Sequence, residues 1–178
     1  MIFCLVLILG CSKDDIGPQK LKISDLDKQA SVSGKWSGVS RVRGVGFYGT
    51  PDVCNPASQG ATYSVIMTGD LEGCLYAFVD EFKCLGNGYY FEKGREYFVG
   101  TYKGKSGTFR TTYNFEAKFE GCNGDGTPAG LEIFGLCQHP LVEGSGQGVF
   151  KGATGRLDFV DNVKATPINF PYIGTLKF

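Results

Sequence analysis

Side chains able to move a proton are few in this chain. His139 is the only histidine among 178 residues, and imidazole is the side chain whose ordinary pKa lies nearest neutrality. That makes His139 the first candidate for acid–base work. It stands in Cys137-Gln138-His139-Pro140, at the end of a predicted strand. Cys137 and His139 are two residues apart, so on a strand they share a face with their side chains parallel, which is awkward for a nucleophile and its base. Glu72, Glu116, Glu132 and Asp158 also lie on predicted strands. Each points either into the fold or out to water, beside Arg110, Lys118 and Arg156. Glu72 and Glu116 join His139 as catalytic candidates. Trp36, Tyr63, Tyr76, Tyr97 and Tyr113 are the rings that would line a cavity. Aromatic bodies with polar tips suit a small apolar or glycan-like ligand, and they fill an ordinary core equally well.

Several chemistries lack their motifs. No C-x-x-C spacing marks a zinc site. Asn123-Gly124-Asp125-Gly126 lacks the further acidic positions of a calcium loop. Gly144-Ser145-Gly146-Gln147-Gly148 does not open a helix, as a dinucleotide fingerprint must, and Gly104-Lys105-Ser106 lacks the earlier glycine of a phosphate loop. A Ser-His-Asp triad would have no G-x-S-x-G elbow to carry it. We therefore expect no metal and no cofactor. Lys plus Arg and Asp plus Glu each total 18, with both signs interspersed. That balance supplies no basic stripe for nucleic acid.

The elements that must position these groups are strands. From Thr108 to Cys122, Phe109, Thr111, Tyr113, Phe115, Ala117 and Phe119 take one parity, and Arg110, Thr112, Asn114, Glu116, Lys118 and Glu120 take the other. Period-two alternation of this length describes a strand with one apolar and one polar face. The same reading predicts strands at Lys35–Val42, Thr62–Thr68, Glu72–Val79, Tyr89–Glu92, Tyr97–Tyr102, Leu131–Cys137, Gly148–Lys151, Arg156–Val160 and Tyr172–Phe178, separated by Gly, Asn, Asp or Pro. About eight to ten strands with 27 glycines predict an all-β fold. A single closed antiparallel barrel is the expected form, because closure removes exposed edges. A two-sheet sandwich is the alternative.

The first residues carry a different signal. An apolar run from Ile2 to Leu9 ends at Gly10-Cys11, and polarity switches at Ser12-Lys13-Asp14-Asp15. The run is too short to span a bilayer and has the length of a signal-peptide core. Ile8-Leu9-Gly10-Cys11 resembles the lipobox of bacterial lipoproteins. The resemblance implies a signal peptide over 1–10, lipid on Cys11, and a membrane as partner through that anchor. Ser12-Lys13-Asp14-Asp15 resembles the signal for display on the outer face of the outer membrane of one group of Gram-negative bacteria; the periplasmic face is the alternative. Residues 11–31 then form the tether and 32–178 the domain. In an exported chain disulfides are permitted. Cys54, Cys74, Cys84, Cys122 and Cys137 make an odd set. Cys74/Cys84 and Cys122/Cys137 each flank a predicted reversal, so cross-strand pairing suits both, and sequence leaves the choice open.

Gly146, Gly148, Phe150, Ala153 and Gly155 match a G-x-G-x-F-x-x-A-x-G kernel, and Gly100, Gly104 and Gly107-Thr108-Phe109 fit a strand pair upstream. These stretches resemble the small exported barrels of the allene oxide cyclase-like and dirigent-like group. The resemblance implies a barrel fold but carries no activity, because one barrel hosts unrelated functions. The leading expectation is a lipid-anchored, non-catalytic binding barrel. A cyclase or isomerase acting in the lumen and a structural envelope lipoprotein are the alternatives.

Overall fold

Alternating faces fold stably only if the apolar face is buried, and here the sheet achieves this by closing on itself. A computed structural model describes residues 38–178. The expected signal peptide, Cys11, the tether and Trp36 lie outside the described residues. Nine strands follow in chain order: β1 Val39–Tyr48, β2 Tyr63–Gly69, β3 Leu71–Cys84, β4 Tyr89–Tyr102, β5 Lys105–Cys122, β6 Pro128–Pro140, β7 Gln147–Gly148, β8 Thr154–Val160 and β9 Phe170–Lys177.

All pairings are antiparallel. Neighbours run β1-β2-β3-β4-β5-β6-β8-β9, and β9 returns to β1 over Val39↔Lys177 to Gly46↔Phe170. Eight strands thus form a closed barrel, and the two-residue β7 adds to β5 outside that circuit. The sandwich alternative is set aside by this closure. The expected strands Tyr89–Glu92 and Tyr97–Tyr102 are halves of one strand, β4, paired with β5 without a break. The Lys103-Gly104 turn joins β4 to β5 with positive φ at both residues (51° and 71°), as a two-residue hairpin requires.

One half of the bore is packed solid. Leu71, Phe98, Phe109, Phe150, Leu157 and Leu176 are fully buried there, with Phe98 stacked on Phe109 at 4.7 Å and Phe150 edge-on to both. Phe150 does not come from a barrel strand. The expected strand Gly148–Lys151 is instead mostly turn, and it tucks this ring in as a plug. Gly146 permits the tuck, since a Cβ there would collide with the Phe150 carbonyl. The glycine-rich stretch is accounted for by backbone approach.

Two disulfides staple the outside, and neither matches the cross-strand pairs suggested by the reversals. Cys54 bonds Cys74, and Cys84 bonds Cys122, leaving Cys137 as a buried free thiol. Cys54 belongs to the loop after β1, which folds over the outer face of β3. Cys84 and Cys122 lie where β3 and β5, the two neighbours of β4, meet beyond its first residue, Tyr89. That juxtaposition skips over the whole of β4, so the spacing of cysteines about a single reversal carries no trace of it. Replacing both Cys84 and Cys122 by alanine opens a cross-link spanning 38 residues and should cost about 2–4 kcal/mol by chain entropy. Urea unfolding of the oxidised proteins checks this; an unchanged midpoint would contradict the staple.

Candidate functional site

The other half of the bore is open. A cavity of ≈ 310 Å³ occupies it, near the lower end of the roughly 300–1,000 Å³ typical of ligand pockets. Tyr48, Tyr63, Tyr90, Phe119 and Phe170 stand toward its mouth, and Val65, Leu75, Cys137 and Phe159 form much of its floor.

β4 supplies the chemistry. Its inward file runs Tyr90, Glu92, Gly94, Glu96, Phe98, so two carboxyls enter the lumen between aromatic residues. Glu92 is the hub of a tyrosine cluster. Tyr113 donates to Glu92 Oε1 at 2.7 Å, Tyr63 to the same oxygen at 3.3 Å, and Tyr90 to Oε2 at 2.6 Å. Burial and the Glu92 charge push the Tyr63, Tyr90 and Tyr113 phenols upward, keeping them as donors. Gly94 makes the arrangement possible, because a Cβ there would meet the Phe78 carbonyl and the Tyr113 ring.

Glu96 is 3 % exposed and His139 5 %. His139 Nδ1 lies 2.6 Å from Glu96 Oε2, and the Thr111 hydroxyl donates to that same oxygen at 2.5 Å. The imidazole is held between the Tyr113 ring at 6.0 Å and the Phe159 ring at 4.5 Å. Its Nε2 is buried and has no hydrogen-bond partner. A carboxylate that holds one ring nitrogen sets the orientation of the other.

Glu132 and Asp161 form a second acidic group on the cavity wall. A register irregularity opposite Phe119 breaks the parity of β6 and turns Glu132 inward. Both carboxyls crowd the space over Gly135. Glu132 Oε1 is buried without a donor until a proton on Asp161 provides one. Burial first, then the hydrogen bond to Glu132 and its charge, push the Asp161 pKa up to about 8, while the His139 charge opposes. Cys137 lines the same wall, but burial and the surrounding carboxyls raise its thiol well above the ordinary range. It is therefore inert as a nucleophile.

Of the residues expected from sequence, His139 and Tyr63 line this cavity with Glu132 beside them, and Tyr113 stands behind the lining, reaching it through its hydrogen bond to Glu92. The others do not. Glu72 and Glu116 take the outward parity and are exposed. Asp158 is also outward and pairs with Arg156 at 2.8 Å. Tyr97 faces outward, with the Arg110 guanidinium 5.9 Å from its ring centroid. Tyr76 is buried, but on the outer face of β3 beside Ser58 of the covering loop. Trp36 falls outside the described residues. Glu92, Glu96 and Asp161 are the functional candidates that sequence reasoning missed. The parity of Glu92 and Glu96 with Tyr90 and Phe98 was the available signal.

A larger concavity of ≈ 1060 Å³ lies on the outer wall, lined by Arg41, Arg43, Asp70, Arg156 and Asp158 among others. It is open to solvent, so its charges interact weakly, and the lumen is the better candidate. Among the described residues no cluster of His, Cys, Asp and Glu is arranged to hold a metal ion. Comparison with protein families, curated proteins and solved structures returns no match.

The Asp161 proton gives a signed pH dependence. An unfolded aspartate titrates near ~3.9, so folding takes up a proton between that value and about 8. Stability from this group is full in acid, falls as pH rises through that window, and is lost above it. Asp161→Asn keeps a donor but cannot titrate. Relative to wild type it should gain stability between pH 5 and pH 9 in urea unfolding; a constant difference would remove the shared proton.

Proposed function

We propose that this protein is a small-molecule-binding barrel that takes its ligand into the open half of the lumen. The observation that carries the reading is the contrast between the halves of one bore. The first is filled with phenylalanine and leucine, whereas the second holds Glu92, Glu96, His139, Glu132 and Asp161 around a cavity. Burying carboxyls in a barrel costs stability unless they are paired, and an apolar filling would hold the strands together at least as well. The polar half is therefore explained by what it binds.

The unpartnered Nε2 of His139 favours an enzymatic version of the same reading. With Glu96 holding Nδ1, this nitrogen would serve as the base once a ligand displaces the side chains that cover it, taking a proton from one carbon of the ligand and returning it to another, an isomerase or cyclase type of step. A fragment screen by thermal shift tests the site. Hits should stabilise the wild type but not Val65→Phe, whose added ring would fill the cavity beside Tyr63. An absence of hits, or equal stabilisation of the filled variant, would sink the proposal. Hits incubated in heavy water separate the two versions. Solvent deuterium entering the ligand with wild type and not with His139→Gln marks catalysis, and none entering marks a binder.

For location, we infer a lipid-anchored protein of the Gram-negative outer membrane. The support is the Ile8-Leu9-Gly10-Cys11 sequence and the charged stretch after it. Intact-mass analysis of the protein from a bacterial host should show an N-terminus at Cys11 bearing diacylglycerol. A chain retaining residues 1–10 without added mass would refute it.

A further inference from the structure

Charge around the lumen is unbalanced. Glu92, Glu96, Glu132 and Asp161 line the cavity together with one imidazole, and no Lys or Arg is among its lining residues. Pairing accounts for part of this. His139 faces Glu96, and Asp161, crowded against Glu132 over Gly135, has its pKa pushed up to about 8. Glu92 has three hydroxyl donors but no cation, and one member of the Glu132/Asp161 pair likewise has no positive partner. Buried carboxylates are ordinarily balanced by a cation in reach.

The remaining lining is what a cation would use. Tyr48, Tyr63, Tyr90, Phe115, Phe119 and Phe170 put aromatic rings around the mouth, and ring faces attract ammonium groups. One buried atom awaits a donor. His139 Nε2 has no partner, and in the neutral imidazole whose Nδ1–H points to Glu96 it is an acceptor. An N–H donor bearing positive charge suits the carboxylates and the rings together, with the imidazole on the same wall. An anionic ligand would satisfy none of them and would meet like charge.

We propose that the lumen binds a small organic cation, a primary amine carried on a compact aromatic or aliphatic body, with its ammonium group among Glu92, Glu132/Asp161 and His139. This rests on the lumen being the binding site, and it names the ligand class that site takes. The same field excludes carboxylate ligands, fatty acids included.

Three probes of nearly one shape test the charge alone: tyramine, its uncharged alcohol analogue 2-(4-hydroxyphenyl)ethanol, and the anion 4-hydroxyphenylacetate. Calorimetric titration of the full-length protein near neutral pH should give tyramine the tightest binding, at least tenfold over the alcohol, with the anion weakest. Glu92→Gln and Glu132→Gln should each narrow the tyramine-to-alcohol ratio severalfold, with circular dichroism confirming that each variant is folded. Equal binding of tyramine and the alcohol, preference for the anion, or no binding of tyramine overturns the cation class. Binding of tyramine that persists unchanged in Val65→Phe would instead overturn the lumen as the site, and the inference with it.

Discussion

Closure of β1 on β9 sets the bore of the barrel, and the bore decides everything placed inside it. Eight strands enclose a space just wide enough for side chains to fill or for one small ligand to occupy. Apart from the loop that covers Ser64 and Tyr76 on the outer face, polar groups can be buried only inside, where each inward position faces inward positions from several strands. Tyr113 on β5 thus reaches Glu92 on β4 while stacking against His139 on β6. The polar cluster is centred on the neighbouring strands β4, β5 and β6, and the curvature of the circuit brings Tyr63 of β2 and Phe159 of β8 against it.

Much of the fold was legible because amphipathic strands advertise themselves. β5 alternates cleanly over its length, and its apolar parity is the inward one. The site was harder to read for a specific reason. In Phe91-Glu92-Lys93-Gly94-Arg95-Glu96 both faces of β4 are polar, since Glu92 and Glu96 point in while Lys93 and Arg95 point out. With no apolar contrast the stretch reads as a break between two short strands. Glu132 was obscured differently, because the irregularity in β6 reverses its face and simple parity counting then fails. The disulfides join β3 to the loop after β1 and β3 to β5, and the outward placement of Tyr76 and Tyr97 follows from which parity faces the core, neither of which the spacing about a single reversal reveals.

The polar half of the lumen is stabilised by reciprocity. Each carboxyl is held by groups that it in turn keeps protonated or oriented. Glu92 raises the phenols that donate to it, Glu96 orients the imidazole that pairs with it, and Glu132 and Asp161 hold one proton between them. Networks of this kind are fully effective only when every member is present. The apolar half has no such requirement and packs by shape alone, with Phe98, Phe109 and Phe150 in mutual ring contact. One half packs by shape and the other is held by hydrogen bonds.

The Phe150 plug also gives the molecule a direction. β1 begins at the plugged end, where Val39 pairs with Lys177 and Phe178 stacks on Tyr102, and it runs toward Tyr48 at the mouth. Both ends of the described chain therefore sit at the base of the barrel. Any attachment made through residues 1–37 would hold the molecule by its base, as a cup is held by its stem, with the opening turned away from the surface that carries it.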